Sequence, residues 1–225
     1  MKPVSQLFSQ DDRKRVAAAI GQAEEKTSAE IVTVAATASG RYDRAEDIFG
    51  FLVSLLAVTA GWAACPAFHE QAGWEGGGPS LAGLVPVLVA MIAGFAAGSA
   101  LASRMPVLRL PFIPKTELEE ECLRAAQAAF MSSKVRKTTG GTGLLIYVSF
   151  FEHQVVVLPD DAISEKLPAD AWTEICDLIV SGMKAGQPTQ ALENALARTA
   201  DILGKALPRK DDDEEELSNE LILID

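Results

Sequence analysis

The sequence predicts an α/β fold: a three-layer α/β/α sandwich with a small mixed sheet, interrupted by a two-helix transmembrane hairpin. Three observations predict it. Residues 48–68 and 76–103 carry no charged side chain, whereas polar sequence of ordinary globular composition lies on either side. Short runs that are apolar on both faces, at 30–37, 143–150 and 153–158, suit strands of a sheet covered on two sides. Segments with apolar residues at helical spacing precede the first run and follow the last, leaving helices for both faces of the sheet.

The first element opens at Ser9, an N-cap followed by Asp11 and Asp12, whose charges favour the start of a helix. Val16, Ile20 and Ala23 then repeat at helical spacing, which predicts a helix over 10–26. After Thr27 and Ser28 the β-branched run from Glu30 to Thr37 predicts the first strand.

The apolar pair comes next. As a helix at ~1.5 Å per residue, stretch 48–68 spans about 31 Å, close to the ~30 Å hydrocarbon thickness of a bilayer. A run of small apolar residues can also be a buried core helix, but two long uncharged runs favour membrane spans. The intervening loop, 69–79, contains Glu70 and Glu75 but no Lys or Arg. Arg41 and Arg44 precede the pair, and Arg104, Arg109 and Lys115 follow it. By the positive-inside rule both termini face the cytoplasm and the loop with Trp74 faces outward, with Trp62 and Trp74 as interfacial anchors. Ala90, Gly94, Gly98 and Ala102 form a small-residue stripe on the second span, and Ala57, Gly61 and Cys65 form one on the first, as close helix packing requires. Neither span holds an ionisable Asp, Glu, Lys or Arg, which argues against a transporter or channel. Pro86 kinks the second span or marks its first turn.

Beyond the pair, Thr116 caps a predicted helix whose buried face is Leu118, Cys122, Ala126 and Phe130, ending near Ser132. Turn chemistry at Thr138, Thr139, Gly140 and Gly141 leads into the second strand, and the short Phe151-Glu152 link makes an antiparallel pair with the third. A helix over 169–184 buries Trp172, Ile175, Ile179 and Met183 and stops at Gly186; Pro188 starts the last, with Leu192, Leu196, Ala200 and Leu203 inward and Pro208 closing it. The return through a helix between the first two strands is a crossover, so those strands are expected to be parallel neighbours.

The domain organisation expected is a split α/β domain at 1–47 and 104–208, the hairpin at 48–103, and an acidic tail at 209–225. The net charge of −11 argues against a nucleic-acid partner. The acidic run at 211–216 reads as a solvated tail, with cation collection as the lesser alternative. Cys65, Cys122 and Cys176 show no paired spacing and read as small core residues. The first fifteen residues lack an apolar signal region, so insertion is expected to rely on the internal spans.

Taken together, Phe8-Ser9-Gln10-Asp11-Asp12, the stretch from Ala23 to Val32, the glycine-led strand from Thr142 to Ser149, the turn Phe151-Glu152-His153 and the stretch from Val157 to Ile163 resemble the TPM-domain family, also labelled the TPM phosphatase domain. The subgroup with two membrane spans between first strand and second helix, and an acidic stretch followed by Asn219-Glu220-Leu221, fits best. His153, where relatives often carry arginine, departs from the pattern, as does the Leu221-Ile222-Leu223-Ile224 ending, where relatives often have proline and aspartate. The resemblance implies an α/β/α sandwich, usually attached to a membrane. For family members it implies roles ranging from maintenance of photosynthetic membrane complexes and receptor modulation to phosphatase activity and divalent-cation binding.

Few residues point to chemistry. A nucleophilic hydrolase needs a base, and only His69 and His153 are imidazoles; His69 falls in the outer loop, and His153 reads as a solvated edge residue. Gly140, Gly141 and Gly143 with Lys134, Arg136 and Lys137 can offer an anion site, but a flexible strand entry explains the same glycines. Asp160 and Asp161, after the third strand, are hard oxygen ligands suited to Ca²⁺ or Mg²⁺ and to metal-assisted phosphoester hydrolysis. Ordinary turn and capping chemistry accounts for the same pair. Glu30 and Glu152 need not meet. The expectation is a two-pass protein of a bacterial inner membrane, both termini cytoplasmic, whose partners are the bilayer and other membrane proteins. Its role is a non-enzymatic interaction module for membrane-protein assembly, stability or repair, with a divalent-metal-dependent phosphatase as the alternative.

Overall fold

The structure, a computed structural model, describes residues 2–64, 81–133, 135, 138, 140–210 and 217–225. It divides into two compact units: Met1–Gly40 with Thr116–Asp225, and Arg41–Lys115.

The first unit is built on a four-stranded mixed sheet. Its strands are β1 (Glu30–Ala36), β2 (Gly143–Ser149), β3 (Gln154–Pro159) and β4 (Ile222–Ile224), in the order β3-β2-β1-β4. β1 runs parallel to β2 and β4, and β3 returns antiparallel on β2. The parallel β1–β2 neighbours and the β2–β3 hairpin agree with the sequence. The fourth strand does not: the sequence reading ended the domain at residue 208, yet Ile222–Ile224 pair with Val34–Ala36. The β1 edge carries unpaired backbone groups that a returning extended segment satisfies, so this pairing depends on a distant partner.

Alternation along β1 and β2 divides the core into two layers. Ile31, Ala35, Leu144, Ile146 and Val148 face one side. Against them pack α2 (Gln10–Glu24), through Val16, Ile20 and Ala23, and the pair α7 (Thr173–Lys184) and α8 (Pro188–Ala206), through Ile175, Ile179, Leu192 and Leu196. Val32, Val34, Leu145 and Tyr147 face the other side, where α5 (Lys115–Ser132) buries Ala126 and Ala129. Helices on both sheet faces make the three-layer sandwich. Two short helices complete the unit, α1 (Val4–Leu7) and α6 (Asp161–Ser164).

Local chemistry explains the helix ends. Ser9 Oγ accepts from the Asp12 N–H while Asp12 Oδ2 accepts from the Ser9 N–H at 3.0 Å, a capping box that satisfies two orphan donors. α5 begins at Lys115, so Thr116 lies inside its first turn instead of capping it. The residues before α7 form a tighter 3₁₀ turn, Ala169–Trp172, which seats Trp172 in the core. Gly186 takes φ 71°, the left-handed conformation that ends a helix.

The second unit contains α3 (Asp43–Ala64) and α4 (Leu81–Arg104), both long and apolar enough to cross a membrane. α3 starts before the apolar run because Asp43 and Glu46 occupy its first turn, where carboxylates favour the helix dipole. Only 11% of each apolar window is buried, whereas a core helix of a soluble domain would be mostly enclosed. Phe51, Leu56, Val89 and Ile92 are among the exposed side chains.

The two helices touch through small residues. A Cβ added at Gly94 would lie 2.9 Å from Ala57 Cβ and from Ser54 Cα, and one at Gly98 would lie 2.9 Å from Gly50 Cα. Gly94, Gly98 and buried Ala102 bear out the stripe on the second helix. On the first helix the seam runs through Gly50, Ser54 and Ala57, closer to its start than the sequence stripe suggested. At the base, Arg109 Nη1 donates to Glu46 Oε1 at 2.6 Å and to the Arg41 carbonyl at 3.0 Å, and Ser103 Oγ donates to Glu46 Oε2 at 2.7 Å. This cluster fastens the two ends of the helical pair. Cys65, His69, Trp74 and the loop they bracket lie outside the described residues, as do Lys134, Arg136, Lys137, Thr139 and the acidic run 211–216.

Candidate functional site

In open α/β sheets the place for a ligand is beyond the carboxyl ends of the parallel strands. There, past Ala36 of β1 and Ser149 of β2, the structure gathers Ser39, Cys122, Tyr147, Ser149 and Glu152. Tyr147 and Ser149 are two apart on β2 and so share the face covered by α5, which contributes Cys122. Ser39 follows β1, and Glu152 lies in the turn between β2 and β3.

Glu152 is 6% exposed and is the hub of the group. Its Oε1 accepts the backbone N–H groups of Ser39 at 2.8 Å and Gly40 at 3.2 Å, and its Oε2 accepts from Ser149 Oγ. Each hydroxyl has one proton, so these bonds set the direction of the rest. Ser149 gives its proton to Glu152, and Ser39 Oγ therefore donates to Ser149 Oγ at 2.9 Å. Tyr147 OH must then donate to Ser39 Oγ at 3.1 Å, and the Cys122 thiol donates to the same oxygen at 3.4 Å. Every polar hydrogen of the cluster runs toward one carboxylate.

The titratable thiol and phenol of this cluster are held in their protonated forms. Burial pushes the Cys122 thiol up to about 11, with the nearby Glu152 charge adding to it and the Ser39 hydrogen bond only partly opposing it. A thiol is nucleophilic as the thiolate, so Cys122 is unreactive at neutral pH. Burial likewise raises the Tyr147 phenol. His153 is exposed and takes φ 53°, with Nδ1 3.3 Å from the Phe151 carbonyl oxygen, a turn residue. What the cluster does is mechanical: it fixes Ser39 and Gly40, the last residues of the first unit's amino-terminal segment.

Asp160 and Asp161 sit at the opposite end of the sheet. The Asp160 N–H donates to the Gly143 carbonyl at 2.8 Å, which places it beside the first residue of β2, and Glu30 pairs with Gly143 from β1. Glu30 and Glu152 are thus at opposite ends. Asp160 caps α6: its Oδ1 accepts from the Asp161 N–H at 2.9 Å, and its backbone oxygen accepts from Ser164 Oγ at 3.0 Å. Asp161 is exposed. Ca²⁺ takes six to eight oxygens, and among the described residues no group of three or more Asp, Glu, His or Cys side chains is placed to hold a metal. The pair alone does not make a cage. Gly143 itself is required by packing, because a Cβ there would collide with the side chain and backbone of Val135.

The Glu152 hub is absent from the sequence reading, although signals for it exist. Tyr147 and Ser149 are polar interruptions on one face of an apolar strand, Ser149 and Glu152 are three apart across a turn, and a Ser-Gly pair follows β1 closely.

Fold and site together define a class: an α/β sandwich domain interrupted after its first strand by a pair of apolar helices. The family model of the TPM domain matches residues 108–202, less than half of the chain, from the approach to α5 through β2, β3 and α7 into α8. The stretch before β1 that also suggested the resemblance lies outside that match. The solved NMR structure of the BA42 protein from the psychrophilic bacterium Bizionia argentinensis is similar in fold, with a TM-score of 0.56 and 18% identity over 96% of this chain and 94% of that one. No curated protein matches the chain.

Proposed function

We propose that this protein is a membrane-anchored interaction module: α3 and α4 cross a bilayer, and the sandwich, on the cytoplasmic side, assists assembly, stability or repair of other membrane proteins. The observation that carries the reading is the Glu152 hub. At the position where α/β domains place ligands, the polar groups bind one another and hold Ser39 and Gly40, and the one thiol there is kept protonated. The exposure of the apolar faces of α3 and α4 supports the anchor. The positive flanks at Arg41, Arg44, Arg104 and Arg109 support cytoplasmic termini, as in a bacterial inner membrane. Affinity purification of the full chain in mild detergent is expected to recover membrane proteins with it. Recovery of the isolated chain alone, under conditions that preserve membrane complexes, would end this reading.

The alternative is a phosphatase dependent on Ca²⁺ or Mg²⁺ at Asp160 and Asp161. It is favoured by one observation: the capping bond uses Oδ1 of Asp160, leaving Oδ2 on the side of Gly141, beside exposed Asp161. It requires oxygens beyond this pair. It forecasts metal-dependent hydrolysis of a phosphomonoester that disappears in Asp160→Asn, and turnover indifferent to that substitution would sink it.

A further inference from the structure

β3 is an edge strand, and among the described residues no strand pairs with its outer side. Asp160 donates to Gly143, so the Gly143–Asp160 pair is hydrogen-bonded, and alternation makes Pro159, Val157 and Val155 the positions that turn their backbone groups away from β2. Pro159, which has no N–H to give, fits that phase. Beside this edge runs a groove of about 550 Å³, lined by Val155, Val157, Leu167, Pro168, Trp172 and Cys176 among others. Trp172 is 4% exposed, and its indole N–H has no acceptor among the described residues. Cys176 makes a distant 3.8 Å approach to the Val155 carbonyl. Adjoining the groove is an acidic surface, with exposed Asp170 and Asp177 and with Glu174 shared with Arg198 at 2.8 Å. On the other rim Lys166 spends its ammonium on the Ala206 carbonyl at 3.3 Å.

We propose that the β3 edge and its groove bind an extended peptide segment of a partner protein as a fifth strand, its apolar side chains over Val155, Val157 and Trp172 and its adjoining basic residues on Asp170 and Asp177. The proposal deepens the interaction reading by naming the docking surface and the chemistry of the partner. Strand addition supplies main-chain bonds to the outward groups of Val157 and to the Val155 N–H, the Val155 carbonyl being the one Cys176 Sγ approaches, and alternate side chains enter the groove. Charge decides the occupant. A second copy of this chain, itself of net charge −11, would bring a like-charged molecule against Asp170 and Asp177, whereas a segment rich in Arg or Lys is attracted.

The test uses the full chain in detergent micelles and a fluorescein-labelled decapeptide of alternating valine and threonine ending in three arginines, read by anisotropy. Saturable binding is expected. It should weaken at least tenfold when alternate peptide nitrogens are methylated, which blocks strand pairing and leaves the charge intact. It should weaken several-fold in the Asp170→Asn, Asp177→Asn double variant, which removes the two charges and keeps the surface shape. Binding indifferent to N-methylation would reduce the effect to surface charge and overturn the proposal. So would no binding at all, or a concentration-dependent dimer that the peptide does not disrupt. If partners are still recovered in the detergent purification while the peptide fails, the groove is wrong and the interaction reading stands; if the purification recovers nothing, the broader reading falls with it.

Discussion

The two edges of the sheet are defended differently. β4 is three residues long, and the chain around it is tied down at several points. The Thr37 N–H donates to the Ile224 carbonyl at 2.8 Å, the Leu217 N–H donates to Glu30 Oε2 at 3.2 Å, and Asp225 grips Ser5. β3 is six residues long, carries no charge, and has only its closing Pro159 to discourage pairing. Short length and flanking charge are the usual means of blunting an edge, so β4 is closed to other strands and β3 is open. One edge completes the fold and the other is available for binding.

Removing residues 217–225 breaks this contrast most severely, because it converts β1 into a second open edge. The loss includes burial of Leu221, worth ~2–3 kcal/mol, and ladder hydrogen bonds of ~1 kcal/mol each. We expect the truncated chain to be less stable by about 3–5 kcal/mol, measured by urea unfolding in detergent with far-ultraviolet circular dichroism, and to aggregate on warming. Unchanged stability would mean that β4 is an ornament of the edge and not part of the fold.

Moving the defence of one edge to the other has a smaller effect. Val155→Lys places a charge on β3 where the stem can lie in the groove and the ammonium reach water. The loss of partly buried valine surface should cost about 1 kcal/mol. Light scattering of the heated protein should nevertheless show slower aggregation than the parent, and binding of the arginine peptide should fall. Faster aggregation would show that β3 is not the exposed edge that matters.

Gly21 on α2 sharpens the account of how the tail is held. A Cβ there would stand 3.3 Å from Asn219 Nδ2, the end of a side chain that can shift by a few tenths of an ångström. Against that crowding stands a helix-propensity gain of roughly 1 kcal/mol for Gly→Ala. We expect Gly21→Ala to be stabilising by about 0.5 kcal/mol in urea unfolding. A destabilised variant would show that Asn219 is clamped and that the tail is held more tightly at this point.

These edges also show what the sequence disclosed and what it withheld. β1 and β2 are legible because they are apolar on both faces, and α2 because the Ser9 N-cap with Asp11 and Asp12 after it is a local signal. β4 is not, because three alternating apolar residues after an acidic run become a strand only when β1 offers its edge, and no local signal announces a partner so far away. The candidate site followed the same rule. Asp160 and Asp161 stand out as adjacent carboxylates but lie where turn chemistry puts them, at the amino end of β2. Glu152 passed for a turn residue, since its acceptors are filled by Ser39 and Gly40, 113 and 112 positions away. Burial created by non-local pairing was the hidden quantity in both cases.

The smallest effect tests the latch at the end of β4. Asp225 Oδ1 accepts the Ser5 N–H at 3.0 Å and its Oδ2 accepts the Ser5 hydroxyl at 2.5 Å; these bonds, the hydroxyl first, hold its carboxyl below the ordinary aspartate value. A folded-state pKa below the unfolded one stabilises the fold at pH above the unfolded value, about 3.9, and that contribution disappears as pH falls through the folded value. Asp225→Asn cannot titrate, so the parent should be the more stable above about pH 5 and the two urea midpoints should converge as the medium becomes more acidic. Asp12 has its carboxyl lowered in the same direction, chiefly by the Ser9 hydroxyl, and titrates in the same window. Its contribution is common to both proteins and cancels in the difference. If the difference between parent and Asp225→Asn is the same at pH 7 and at pH 2.5, the latch is not electrostatic, and the closed edge owes its order to Leu221 and the β1 ladder alone.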